Sequence, residues 1–239
     1  MESYEYIKNK RELNGLSVRD FAKLADITPS ALFYYETGHY KLYNLSIGKL
    51  LRLFNLLSID ADTFAREYFD DLYKDSEKKI SEWKEKNPRE YSYKVLKKRL
   101  RLRIAKIAER KILAEEKLEE IKRLYEKNFD KIKKCIGTED LVSDELYEKY
   151  ILPLSALIRI SLDNKDGIGK PDNAAVRINN KLAHTDYDYR DLAFLVDISF
   201  QLFTMYRKKP EDFENITAST AFKIAYVLDA DITELFSER

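Results

Sequence analysis

The sequence predicts an all-α protein made of two small helical domains joined by a long helix. Gly and Pro contribute only 6 and 5 of its 239 residues, and charged residues make up 36%, a composition that favours solvated helices over a turn-rich sheet. Residues 7–64 align without a gap on residues 178–235, and residues 93–134 contain neither Gly nor Pro. These observations predict the fold class, the pair of domains and the connecting helix, respectively.

The chain divides into four segments on this interpretation. They are a first helical domain at 1–66, a helical connector with a long basic helix at 67–137, a helical segment with a loop at 138–176, and a second, divergent domain at 177–239. The loop contains "NKDGIGKPDN" at 164–173, which lacks the full spacing of a phosphate-binding loop. We expect it to be a flexible connector.

Composition excludes several classes of site. Cys135 is the only cysteine, so the chain can form no internal disulfide and no cysteine-based zinc site. His39 and His184 have no neighbours at ligand spacing, and no carboxylate pair stands out, so we expect no metal, no cofactor and no enzymatic activity. No apolar stretch approaches the length of a membrane span. We therefore expect a cytoplasmic protein without a membrane partner.

The first domain carries the signals of two short helices around a hinge. Ser17 is a suitable N-cap for a helix with apolar residues at Phe21, Leu24 and Ala25. Thr28 caps the next helix, and Pro29 fits its first turn because an N–H there would be unpaired anyway. A further amphipathic helix is predicted at roughly 45–57.

The alignment of the two ends has a constant offset of 171 residues. "VRDFAKLADIT" lies over "YRDLAFLVDIS". Identical pairs are Arg19/Arg190, Asp20/Asp191, Ala22/Ala193, Leu24/Leu195, Asp26/Asp197, Ile27/Ile198, Tyr35/Tyr206, Leu57/Leu228 and Asp60/Asp231. The offset predicts that the C-terminal end repeats the helices of the first domain, including one at 216–228.

Many positions of the first domain, in fixed register, resemble the Cro and phage-repressor (XRE) type of helix-turn-helix domain. The matching residues are Arg11, Leu13, "GLS" at 15–17, Phe21, Ala22, Leu24, Ile27, Thr28, Leu32, "ETG" at 36–38 and "LLSIDADTF" at 56–64. The resemblance implies a structural pair between Arg11 and Glu36. In the second copy the equivalent residues are Leu182 and Arg207, so that copy resembles a degenerate relative.

The resemblance further implies binding of double-stranded DNA by a homodimer. Carried over by position, the DNA-binding residues are Arg19, Thr28, Pro29, Ser30, Phe33, Tyr34, His39 and Lys41. In such domains the start of the second helix faces the major groove. The predicted function is therefore a sequence-dependent transcriptional regulator.

The chemistry of the predicted reading face leaves an alternative open. Its helix contains no Arg, Asn or Gln, the residues that read bases in pairs of hydrogen bonds. Phe33 and Tyr34 either pack or are exposed, and an exposed aromatic pair is typical of a protein-binding hot spot. The alternative is an interaction module or inhibitor of phage or mobile-element origin that binds a protein or ribonucleoprotein. For the second copy, whose equivalent helix is largely apolar, self-association or partner binding is expected rather than DNA reading.

The middle segment predicts one helix of about 60 Å at roughly 1.5 Å per residue. Apolar residues fit a heptad pattern with seams at Ile104, Lys111, Leu118, Tyr125 and Ile132 and at Leu100, Ile107, Ala114, Ile121 and Asn128, which is typical of a coiled coil. Its basic stretch at 94–111 includes Lys97, Lys98, Arg99, Arg101 and Arg103. Residues 138–239 are acidic, with 12 Lys or Arg and 19 Asp or Glu residues. Three interpretations of the basic stretch are open: a solvated face, docking on the acidic C-terminal copy, or direct contact with phosphate or a partner.

Overall fold

The computed structural model describes residues 1–87, 91–163 and 172–236. Within these ranges the regular structure is helical and no β-strand forms, so the predicted all-α class is confirmed. The predicted connector at 164–173 falls outside the described residues except for its last two positions. The chain folds into two compact units. Unit 1 comprises Met1–Glu82, Asn173–Arg177 and Tyr189–Arg239, and unit 2 comprises Trp83–Asp172 and Ile178–Asp188.

The N-terminal part of unit 1 is a run of short helices. They are α1 (Ser3–Leu13), α2 (Val18–Leu24), α3 (Pro29–Glu36), a 3₁₀ turn (Leu42–Asn44), α4 (Ile47–Leu56) and α5 (Ala61–Tyr68), followed by the longer α6 (Asp70–Lys86), whose last four residues belong to unit 2. The two predicted N-caps are confirmed: the side chain of Ser17 accepts a hydrogen bond from the N–H of Asp20, and that of Thr28 from the N–H of Ala31. Each cap satisfies a backbone donor that the helix itself leaves unpaired.

Apolar residues at helical spacing bury the inner faces of these helices. The most deeply buried are Ile7, Phe21, Ala22, Leu32, Leu50, Leu53, Phe54 and Phe64. The rings of Phe54 and Phe64 lie 4.8 Å apart between centroids, a distance at which aromatic pairs add to the energy of burial. This core fixes the position of α3 against α1 and α2.

Unit 2 contains the middle of the chain. Its helices are α7 (Tyr93–Glu109), α8 (Glu115–Ile136), α9 (Asp144–Leu146), a π-helical turn (Tyr147–Ile151) and α10 (Leu152–Asp163), and α11 (Ala174–Ala183) spans the boundary between the units. α7 and α8 pack on each other through one apolar cluster, in which the rings of Tyr93 and Phe129 lie 5.5 Å apart. The Tyr125 hydroxyl donates a hydrogen bond to the Lys97 carbonyl at 3.0 Å.

The prediction of a single long helix over 93–134 is wrong. The helix ends at Glu109, Lys111 adopts a left-handed conformation with φ of 50°, and a new helix begins at Glu115. The predicted seam residues Leu100, Ile104, Ile107, Ile121, Tyr125 and Ile132 are buried. Because α7 folds back on α8, the two halves of the heptad pattern cover each other, whereas one straight helix would leave both exposed.

The C-terminal helices of unit 1 follow the order and spacing of the N-terminal ones. They are α12 (Tyr189–Leu195), α13 (Phe200–Lys208), a 3₁₀ turn (Pro210–Asn215), α14 (Ala218–Val227) and α15 (Ile232–Phe236). At an offset of 171, α12 has the same bounds as α2 and α14 the same bounds as α4, while α13 and α15 begin at the positions equivalent to the first residues of α3 and α5. The helix predicted at 216–228 is thus observed at Ala218–Val227.

Candidate nucleic-acid interface

The turn between α2 and α3 sets the direction in which α3 leaves the core. Asp26 has a left-handed backbone with φ of 55°, and Ile27 beside it is buried. The side chain of Asp accepts such a conformation better than most residues, because it can hydrogen-bond locally. The buried side chain of Ile27 and the N-cap at Thr28 therefore hold the start of α3 in place.

A buried ion pair ties the end of α3 to α1. Arg11 donates from Nε to one oxygen of Glu36 at 2.6 Å and from Nη2 to the other at 2.9 Å, and its Nη1 donates to the Leu16 carbonyl at 2.7 Å. The Arg11 and Glu36 side chains are 6% and 4% exposed. Hydrogen bonding to Glu36 raises the pKa of Arg11, against the opposing effect of burial. Such a two-point pair fixes both distance and orientation.

The outer face of α3 carries the residues predicted to read DNA. Thr28, Pro29 and Ser30 are exposed in its first turn. Phe33 is 53% exposed and Tyr34 42%, so neither is a core residue. Leu32 and Tyr35 on the opposite face are buried. One face of α3 thus packs, and the other is free to contact a ligand.

Aromatic rings extend this face into the loop after α3. The centroid of the Tyr34 ring lies 6.0 Å from the ring centroid of Phe33, 5.7 Å from that of His39 and 5.2 Å from that of Tyr40. The Thr37 hydroxyl lies 2.9 Å from Nδ1 of His39. The mutual contacts restrict the side-chain rotamers before any ligand binds, which lowers the entropic cost of binding.

A glycine makes the loop possible. Gly38 has φ of 75°, and a Cβ at this position would lie 2.8 Å from Cε1 of Tyr4, so both the backbone conformation and the space favour glycine. The loop then presents His39 and Lys41, which are exposed. Arg19 is exposed on α2. Exposed positions on α2 and in the loop after α3 thus carry two cations and an imidazole, which suit phosphate contact.

The basic residues of the middle segment lie on α7, in unit 2. Lys98, Arg99 and Arg101 are exposed, and Arg103 is half-buried. The Nζ of Lys97 lies 5.7 Å from the Tyr93 ring centroid and 5.8 Å from that of Phe129, so this cation contacts aromatic faces of its own unit. The exposed members remain available to solvent or to an anionic ligand.

The C-terminal helices lack the ion pair and carry different exposed groups. Leu182, at the position of Arg11, is fully buried, and the Arg207 guanidinium lies 3.3 Å from the centroid of the Tyr189 ring. Gln201 is exposed at the position of Ser30. It is the only glutamine of the chain, and reasoning from the sequence missed it, although the offset of 171 placed it on α13.

Metal-binding groups and membrane-spanning helices are two other features that bear on function. Across the part of the chain that the structure describes, no group of three or more His, Cys, Asp or Glu residues is arranged to hold a metal ion. Among the same residues, no helix combines the length and the apolar character needed to cross a bilayer.

A family model described as Helix-turn-helix matches residues 7–64, which span α2 to α4 together with most of α1 and the first half of α5. No curated protein and no solved structure is significantly similar to the chain.

Proposed function

Since residues 7–64 form a helix-turn-helix domain of the Cro and phage-repressor type, a family of DNA-binding regulators, we propose that the chain is a sequence-dependent transcriptional regulator. The observation that carries the proposal is the exposed face of α3, with Ser30, Phe33 and Tyr34 directed away from the core. In this fold that face lies in the major groove.

The roles of the individual residues follow from their chemistry. Ser30 and the Tyr34 hydroxyl donate or accept hydrogen bonds at base edges, and the Phe33 ring contacts thymine methyl groups. Arg19, His39 and Lys41 hold phosphates and fix the register of the helix. Because no side chain on α3 can make a two-point contact with a base, discrimination among sequences is modest.

The proposal also concerns how many recognition helices bind one DNA site. A two-fold operator is contacted by two recognition helices in successive major grooves, about one helical turn apart. The expectation from sequence is a homodimer of the chain. Measuring the number of chains on one duplex tests that expectation.

The direct test is fluorescence anisotropy of the full chain with two duplexes, one from upstream of its own gene and one scrambled, over a salt series. We expect the upstream duplex to bind more than tenfold more tightly. The variant Ser30→Asp/Tyr34→Asp should remove that preference, since two carboxylates would face the bases and phosphates.

A control variant distinguishes a loss of sequence preference from the general effect of added negative charge on DNA binding. Asn9→Asp/Ser58→Asp adds the same two negative charges at exposed positions of the same domain, on α1 and after α4. It should lower the affinity for both duplexes equally and keep their ratio. Weak and equal binding of both duplexes by the unmodified chain would contradict the proposal.

A second function is favoured by the aromatic composition of the same surface. Phe33, Tyr34 and Tyr40 are 53%, 42% and 50% exposed, and exposed aromatic residues of this kind are common in protein-binding hot spots. In this function the surface binds a protein or ribonucleoprotein. Tight binding of a purified partner that Tyr34→Asp abolishes, together with no preference between the two duplexes, would favour it.

A further inference from the structure

The N-terminal and C-terminal helices of unit 1 meet through residues that are equivalent at the offset of 171. Ser46 pairs with Thr217 in an antiparallel bridge. The N–H of Ile47 donates to the Ile216 carbonyl at 2.8 Å, and the N–H of Ala218 donates to the Leu45 carbonyl at 2.7 Å. The donors Ile47 and Ala218 are equivalent at the offset of 171, and so are the acceptors Leu45 and Ile216. Such a reciprocal pair of bonds is the pattern of a two-fold interface.

The turns before α3 and α13 also correspond. Asp26 and Asp197 both have left-handed backbones, with φ of 55° and 63°. The caps Thr28 and Ser199 accept hydrogen bonds from N–H groups three residues further along, at 3.2 and 3.1 Å. Two segments with the same helices, caps and turns, related by reciprocal contacts, constitute a pseudo-two-fold pair within one chain.

The interface of this pair is closed by further contacts. The carboxylate of Asp62 accepts a hydrogen bond from the N–H of Ile232 at 2.8 Å, and Arg66 lies 3.8 Å from Asp231. The rings of Phe69 and Phe222 are 5.4 Å apart between centroids. The flanking residues Leu45, Ile47, Ile216 and Ala218 are buried. The surface through which a second chain would pair with the first domain in this way is therefore already occupied.

The geometry points to a single-chain reader: we propose that α13 is a second recognition helix, so that one chain contacts both halves of a DNA site whose half-sites differ. The inference rests on the proposed function. Rotation about a two-fold axis does not change the position of a helix along that axis. The equivalent helices α3 and α13 therefore lie on the same side of the pair, where both can face one DNA duplex. This proposal departs from the expectation, drawn from the sequence, that the largely apolar α13 does not read DNA.

The exposed chemistry of α13 specifies its half of the site. Gln201 stands at the position of Ser30, Thr204 at that of Phe33 and Met205 at that of Tyr34, and Gln201 and Met205 are exposed. A glutamine at this position can donate to and accept from adenine in a two-point contact. Arg190 repeats Arg19 on the preceding helix. The half-site of α13 is therefore centred on an adenine, whereas that of α3 is read without a two-point contact, by single hydrogen bonds from Ser30 and Tyr34 and by the Phe33 ring.

The test uses duplexes selected from a random-sequence library by the full chain. We expect a motif of two unlike half-sites about 10–10.5 base pairs apart. Native mass spectrometry should find one chain per selected duplex. Gln201→Ala should weaken binding about tenfold and relax preference only in the adenine-containing half-site. The matched control Asn9→Ala, an exposed amide on α1, should change neither.

The other outcomes separate failure of this inference from failure of the proposed function. A palindromic motif with two chains per duplex, or a motif that Gln201→Ala leaves unchanged, overturns the single-chain reader while the proposed function stands. No enriched motif, with equal affinity for selected and scrambled duplexes, overturns the proposed function and this inference with it. Thermal unfolding of each variant verifies that a lost preference does not reflect a lost fold.

Discussion

The two ends of unit 1 share helix positions but hold them with different interactions. In the N-terminal segment, residues 3–68, the buried Arg11–Glu36 pair joins α1 to the end of α3. In the C-terminal segment, residues 189–236, Lys223 joins Asp197 at 2.8 Å and Asp75 of α6 at 2.5 Å. The comparison indicates that apolar spacing, caps and turns determine this arrangement of helices, while the ion pairs that reinforce it can be exchanged.

Breaking the buried pair of the N-terminal segment should have the largest effect. Glu36→Gln removes one charge and leaves the buried Arg11 with only Glu12, which is 52% exposed and 3.3 Å from its Nη2, as counter-ion, so we expect the free energy of unfolding in urea to fall by about 3 kcal/mol. Replacing both residues by apolar ones, as Arg11→Met/Glu36→Leu, should restore most of the loss. In the C-terminal segment Arg207→Ala should cost far less. Equal losses at the two ends would contradict the comparison.

The second-largest effect is expected at the cations Arg52 and Lys223, which are equivalent at the offset of 171 but should contribute unequally to stability. Lys223 has a side chain only 9% exposed between two carboxylates, whereas Arg52 is 48% exposed and lies 3.9 Å from Asp26. We expect Lys223→Met to lower stability by about 2–3 kcal/mol and Arg52→Met by less than about 0.5 kcal/mol. Urea unfolding of both variants measures the difference. If Arg52→Met cost as much, exposure would not explain the strength of the pair.

The same ion pairs predict a dependence on pH. Partial burial opposes ionisation of Asp197, but hydrogen bonds from Lys223 and Lys79 outweigh it and lower the pKa of the carboxyl. A lowered pKa contributes stability that is present above the unfolded value of about 3.9 and is lost as pH falls through the folded value. Unfolding between pH 6 and 3 should therefore show a smaller acid-induced loss in Lys223→Met than in the unmodified chain. An unchanged pH profile would rule out this coupling.

The turn residues should give the smallest effect, with opposite signs at the two ends. Glycine relieves the left-handed backbone at either position. Asp26 is 70% exposed, and its contacts with Lys49 and Arg52 are 3.6 and 3.9 Å. Asp26→Gly should therefore stabilise, because a relief of roughly 1–2 kcal/mol exceeds the cost of about 0.5–1 kcal/mol that comes from the greater freedom of glycine in the unfolded chain. Asp197→Gly also removes a partner of Lys223 and should destabilise. Thermal unfolding compares the two, and the same sign at both ends would contradict the account.

Local signals predicted most of the helices. Ser17 and Thr28 were recognisable as caps, and α4 and α14 were recognisable from apolar spacing, because both features depend on residues within one helix. The break at Lys111 was not predictable, since a lysine in a left-handed conformation carries no Gly or Pro signal. It follows instead from the need of α7 and α8 to bury their apolar faces against each other.

The candidate site was predictable only in part. Resemblance to a family selected the positions on α3, but whether Phe33 and Tyr34 are exposed depends on how α3 packs, and local pattern could not decide that. The pairing of Ser46 with Thr217 was hidden for another reason. Its hydrogen bonds join backbone groups, which every residue except proline possesses, so no residue type marks the interface.

The most direct test of DNA reading by α3 is photocrosslinking to the upstream duplex. A photoreactive phenylalanine derivative replaces Phe33, and in a control chain it replaces Leu141, which lies between α8 and α9 and is 61% exposed against 53% for Phe33. We expect efficient crosslinks from position 33 to bases within the protected site and none above background from position 141. Specific binding of the duplex without crosslinks from position 33 would show that another surface reads the DNA.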